Sequence, residues 1–254
     1  MSFYDLNKEE RNERAAQIHA DLQADLNAKT QEYILIFYSD EDTYIRKAAY
    51  LATGKIYKQH SELRKQILTQ LQEVFLSGNE KIRQTTINAA GEIGIIDFGP
   101  IESLMEQGLN DVHHSVRNAV IGSVKKMGEK NPMPVLAFAR KYLLHPDYEI
   151  RREICHGLEL RGRTHPQDIL PMLRLLQFDK KPRVRNTLIH VIGQIAYKKG
   201  CLETVISDLN TWENKELVKE SIAEIIDVHQ RYANFSFYTQ TQAIAYIEKN
   251  SVIK

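Results

Sequence analysis

Cysteine is almost missing from the chain: Cys155 and Cys201 are the only two in 254 residues. A small secreted scaffold stapled by disulfides needs more, so a reducing compartment is the expected home. Proline at 7 and glycine at 12 are too sparse for a collagen-like rod, and 43% apolar residues are too many for a disordered tail. No stretch approaches the length of apolar run that a membrane helix needs. The opening Met1-Ser2-Phe3-Tyr4-Asp5 has neither the basic start nor the apolar run of a secretory signal. A cytoplasmic protein without membrane contact is expected. An excess of one charge sign is also lacking, since 34 Lys plus Arg against 33 Asp plus Glu gives +1. That balance argues against a uniformly basic nucleic-acid binder.

What the chain does have is a repeat. Thr43-Tyr44-Ile45-Arg46, Glu80-Lys81-Ile82-Arg83, His114-Ser115-Val116-Arg117, Tyr148-Glu149-Ile150-Arg151, Pro182-Arg183-Val184-Arg185 and Glu216-Leu217-Val218-Lys219 are versions of one text. Their basic residues step by 37 and then four times by 34. A period of that size is the mark of a solenoid, in which a small helical unit stacks on the next. Polar turns such as Ser39-Asp40-Glu41-Asp42 and Ser77-Gly78-Asn79 can cap the helix that follows.

Longer helices are predicted over 44–58, 80–95, 113–128, 148–162, 183–199 and 215–231. Shorter ones are predicted over 62–76, 100–108, 133–144, 168–177 and 202–210, with Pro100, Pro134 and Pro171 near their starts. The residue before each ladder position (Ile45, Ile82, Val116, Ile150, Val184, Val218) and the one three beyond it (Ala49, Thr86, Val120, Ile154, Leu188, Ile222) define a stripe facing the core. Gly54, Gly91 and Gly193 lie eight residues past the ladder residue, where close helix approach is expected. Residues 1–39 read as an N-terminal helical cap, 40–231 as regular repeats and 232–254 as a C-terminal helical cap, and no Gly/Ser-rich linker divides them.

Charge is uneven along this array. Residues 1–50 carry 6 basic and 10 acidic side chains, 151–200 carry 11 and 4, and 201–254 carry 5 and 8. The basic stretch from Arg140 to Lys199 contains Arg151, Arg152, Arg161, Arg163, Lys180, Lys181 and Arg183, the residues expected to meet a partner or nucleic acid. Phosphate recognition needs such distributed positive charge, provided that it shares a face.

Ile82-Arg83 followed by Ala89-Ala90-Gly91-Glu92-Ile93-Gly94 resembles the HEAT-repeat family of α-helical solenoids, and the likeness runs over about residues 30–231. The resemblance implies an all-α right-handed superhelix of stacked antiparallel helix pairs, one solenoid over 1–254, in which the ladder arginines tie neighbouring turns together through Asp42, Asp111, Asp147 or Asp179. Tyr148-Glu149-Ile150-Arg151-Arg152-Glu153, followed by Thr164-His165-Pro166-Gln167-Asp168-Ile169-Leu170, looks like text of the bacterial DNA alkylation repair glycosylases built from HEAT-like repeats. That likeness implies duplex DNA as a partner, with Arg151 and Arg152 as phosphate or helix-positioning contacts. The single Trp212, far from the basic middle, departs from the aromatic surround that such enzymes have.

Chemistry is harder to find. His156 and His190 occupy one repeat position on adjacent helices roughly 8–10 Å apart, so their rotamers would have to converge and other ligands join before a metal could bind. No metal and no cofactor is therefore expected. Cys155 offers a nucleophile without a local motif, and buried cysteine is the default. The expectation is a non-enzymatic interaction scaffold for a protein partner, with a DNA-binding protein related to the repair glycosylases as the alternative.

Overall fold

The computed structural model describes residues 3–253, and among them every regular element is a helix. They gather into two compact units, Met1–Pro134 and Val135–Lys254.

The first unit opens with α1 (Lys8–Ala28), started by a reciprocal cap. Asn7 Oδ1 accepts from the Glu10 amide at 3.0 Å, and the Asn7 amide donates to Glu10 Oε2 at 2.8 Å. It ends at Lys29, whose φ of 57° is left-handed. There buried Asp25 accepts from Thr30 Oγ1 at 2.7 Å and the Ile34 amide at 2.8 Å, fixing the turn into α2 (Glu32–Ser39). The stretch expected to form an N-terminal cap holds this helix pair. Beyond it come α3 (Thr43–Gln59), α4 (Arg64–Phe75), α5 (Glu80–Gly94), α6 (Glu102–Leu109) and α7 (His114–Lys130). The long helices stack in sequence, α1 on α3, α3 on α5 and α5 on α7, while α4 and α6 pack on α5 from the other layer.

After α8 (Pro132–Tyr142), the second unit continues with α9 (Tyr148–Gly157), α10 (Glu159–Gly162), α11 (Pro166–Leu173), α12 (Pro182–Ala196), α13 (Cys201–Leu209), α14 (Lys215–Arg231) and α15 (Gln240–Asn250). Here α12 lies between α9 and α14, and α15 closes the end against α13 and α14.

The predicted hairpins are present, and so are their caps. Asp42, Asn79 and Asp147 each accept from the amide two residues on, at 2.8 Å. Every residue of the two stripe positions is buried except Ile222, which is half-buried in the last repeat. A Cβ on Gly193 would sit 2.6 Å from Glu224 Cγ, and at Gly54 and Gly91 it would collide with Glu92 and Ser123, so these glycines do mark close helix approach.

Two expectations need correction. Pro171 lies inside α11 rather than at its start, and Pro166 takes the first position. The helix predicted over 148–162 breaks at Leu158, whose amide donates to Cys155 O at 3.3 Å, a tight i−3 turn beside Gly157.

Candidate functional site

The ladder arginines work as expected, with a sharper division of labour among the acids. Arg83, Arg117, Arg151 and Arg185 each donate Nη1 to the carbonyl six residues earlier, at 2.9, 2.7, 2.7 and 2.8 Å, and Arg46 does the same. Arg83 and Arg151 also clasp the next turn. Arg83 Nε donates to Asp111 Oδ2 at 2.7 Å and Nη2 to Oδ1 at 3.1 Å; Arg151 makes the same fork to Asp179 at 2.6 and 3.0 Å. Burial raises the pKa of Asp111 and Asp179, but the arginine hydrogen bond, a backbone amide and the arginine charge outweigh it and hold both carboxyls below their ordinary value. Asp42 and Asp147 serve as helix caps.

Most of the basic candidates are neutralised where they stand. Arg151 is held by Asp179 as described. Arg152 donates to Glu149 Oε2 at 2.8 Å and reaches Glu153 Oε1 at 3.4 Å. Arg161 donates to Asp168 Oδ2 from Nη2 at 2.5 Å and from Nε at 2.9 Å. Arg163 pairs with Glu159 and donates to Gln194 Oε1 at 2.7 Å, and Arg183 reaches Glu149 Oε1 at 2.6 Å. Lys180 and Lys181 are exposed, and the ammonium of Lys181 lies 5.3 Å from the centre of the Tyr148 ring.

Beside these pairs the structure draws together a group the sequence did not assemble. His156 Nε2 lies 3.1 Å from Glu159 Oε2 across the broken turn. The His156 and His190 rings meet edge to face with centroids 5.8 Å apart. One donor atom from each of His156, Glu159 and His190 falls within 4.8 Å of the other two. Glu159 is almost wholly buried. From α14, Glu224 comes over Gly193 to put Oε1 3.7 Å from His190 Nδ1, and Arg231 holds that same oxygen at 2.6 Å. Burial holds the His190 pKa below the ordinary imidazole value; Glu159 pulls it back up, and His156 lowers it further. Equal repeat position was the only sequence signal for the histidines, and Glu159 had none.

Neither cysteine is an activated nucleophile. Cys155 and Cys201 are buried, and burial, reinforced by Asp179 and Glu203 respectively, pushes both thiols up, away from the thiolate that attacks. Trp212 is a core residue, with Nε1 donating to Asp208 Oδ2 at 2.7 Å. Of the aromatics at 232–238, Tyr232 stacks on Tyr197 at 5.5 Å and the Tyr238 hydroxyl donates to Glu203 at 2.5 Å, while Phe235 and Phe237 are exposed.

The first unit has a different kind of feature, a cleft of about 610 Å³ between α1 and α3. Its floor consists of the small side chains Ala15, Ala16, Ala48 and Ala52 with Leu51, which is 39% exposed. Phe3 and Tyr44, stacked at 6.3 Å, close one end. The charged residues on its rim are Arg11, Lys47 and Lys55, and no carboxylate lines it among the described residues.

No family model matches the chain, and no curated protein matches it. Among solved structures it is similar to an engineered protein, with 16% identity over 78% of this chain and 97% of that one and a TM-score of 0.39. It is also similar to computationally designed armadillo repeat proteins for modular peptide recognition, with 14% identity, 77% and 98% coverage and a TM-score of 0.36. Values this low bear on neither chemistry nor partner. No helix among the described residues is long and apolar enough to cross a membrane.

Proposed function

We propose that the chain is a non-enzymatic scaffold of HEAT-type helix pairs, with the right-handed stacking of that family, which binds a protein partner through the cleft between α1 and α3. The observation that carries this reading is the combination of an apolar floor with a basic rim that holds no carboxylate of its own. Small residues at Ala15, Ala16, Ala48 and Ala52 leave a trough between two helices, the form that accepts the apolar face of a third. Arg11, Lys47 and Lys55 favour acidic side chains beside that face. The occupant is therefore an acidic amphipathic segment of the partner.

A display library of random peptides about 15 residues long tests this, since that is the length at which an amphipathic helix begins to hold in water. Selected peptides should combine apolar residues at helical spacing with Asp or Glu. The double variant Lys47→Glu, Lys55→Glu should bind them at least tenfold more weakly, a loss of about 1.4 kcal/mol. Lys180→Glu, Lys181→Glu should bind them as the parent does. Selected peptides without acidic bias, or bound equally by the Lys47/Lys55 variant, would move the interface elsewhere. Duplex DNA is the competing partner, and the engagement of five of its seven candidate contacts with carboxylates weighs against it. Submicromolar binding to a mixed duplex, falling steeply with salt, would favour it.

A further inference from the structure

The second unit carries a feature of its own, apart from the cleft. We infer that His156, Glu159 and His190 form a centre for one zinc-class divalent ion. Two imidazoles and one carboxylate are a borderline nitrogen and oxygen donor set of the kind zinc takes, and three protein ligands leave a fourth position open to water or to a partner's side chain.

Geometry carries the assignment. Bonds of about 2.0–2.1 Å in a tetrahedron put neighbouring donors about 3.3 Å apart. His156 Nε2 and Glu159 Oε2 are already 3.1 Å apart. No donor pair exceeds 4.8 Å, so the widest must close by about 1.5 Å. His190 can make that move, because its side chain is 42% exposed and has room to turn.

Three features of the fold assemble the group. The 34-residue period gives His156 and His190 the same place on adjacent helices α9 and α12. His156 and Glu159 are three residues apart, a spacing that keeps both side chains on one face of the turn. Gly193 lets Glu224 reach His190.

The surroundings supply the outer contacts that metal ligands require. Arg163 holds the other oxygen of Glu159 and is itself held by Gln194 at 2.7 Å. Glu224 lies 3.7 Å from His190 Nδ1, close enough that a small turn of the half-exposed ring would set a carboxylate behind it, as ligating histidines have. Arg163 sits on Glu159, and Arg231 is shared by Glu224 and Asp227, so three carboxylates face two guanidiniums around the site. A divalent ion then meets two carboxylates whose positive partners are already placed outside the donor set.

The test uses the full chain stripped with a chelator and desalted, then titrated calorimetrically with Zn²⁺ alone and followed optically with Co²⁺. The expected result is one Zn²⁺ per chain and cobalt d–d bands of tetrahedral intensity. His156→Ala and His190→Asn should each weaken Zn²⁺ at least tenfold, as should Glu159→Gln. The control His113→Ala, His114→Ala, in the other unit, should change nothing. Because Glu159 is buried against Arg163, its variant can lose the fold, which Trp212 fluorescence would register; half-exposed His190 decides the matter in that case. Failure of the parent to take up one ion per chain, or uptake unchanged in His156→Ala and His190→Asn, would overturn the assignment.

Discussion

His229 shows how much one side chain can say about pH. It is fully buried near the end of α14; Nδ1 donates to Ile225 O at 2.7 Å, and Nε2 has no partner among the described residues. Only a neutral ring fits that arrangement. Burial holds its pKa below the ordinary imidazole value, although the Ile225 carbonyl raises it somewhat. The unfolded chain therefore takes up a proton first as pH falls. Stability from this residue is complete above about pH 6.5 and is lost below it until the folded-state pKa is reached. Between pH 7.5 and 5.5 the loss can approach about 1 kcal/mol. Urea unfolding read through the lone, buried Trp212 follows the same unit, and His229→Gln should remove about that much of the pH dependence relative to the parent. Equal slopes in parent and variant would mean that the ring does not resist protonation in the fold.

At the scale of elements, the arginine clasp joins three parts of the chain. Arg151 binds the turn before its own helix, at His145 O and Pro146 O, and the turn before the next, at Asp179. Arg83 repeats the device with Ser77 and Asp111. The Arg151 and Asp179 side chains are only 14% and 6% exposed. Removing one partner strands the other, so Arg151→Met or Asp179→Leu alone should cost roughly 3 kcal/mol, whereas the double variant should cost clearly less than the sum. A double-mutant cycle by Trp212-monitored unfolding measures this, and additive losses would reduce the clasp to two unrelated contacts. The sequence made the helices and this clasp legible because each feature recurs in register, so Ile82-Arg83 and Ile150-Arg151 support one another. It did not reveal the rest of the charge pairing, because counting along the chain ignores partners 7 and 34 residues apart, as in Arg161–Asp168 and Arg183–Glu149. Glu159 escaped notice because an acid three residues from a histidine is ordinary on a helix, and only its burial and its approach to His190 set it apart. The cleft escaped because α1 was read as a cap, and its floor depends on small residues from two helices.

For the molecule as a whole, the physical consequence of repetition is that stability is distributed by neighbours. In an array, each helix pair contributes its own folding free energy plus the interfaces it makes, and an end pair lacks one of those interfaces. Within the first unit α5 is flanked by α3 and α7, while α1 packs on α2 and α3; within the second, α12 is flanked by α9 and α14, while α15 leans on α13 and α14. The regular elements of both units are all helices, so differences in opening should follow these interfaces rather than the type of structure. Hydrogen exchange followed by mass spectrometry should find α5 and α12 the slowest elements of their units, with α15 slower than free chain but at least tenfold less protected than α12. Tenfold corresponds to about 1.4 kcal/mol, a modest value for one missing helix interface. Protection uniform across α9 to α15 would mean that the second unit opens only as a whole, and stability would then belong to the unit rather than to its repeats.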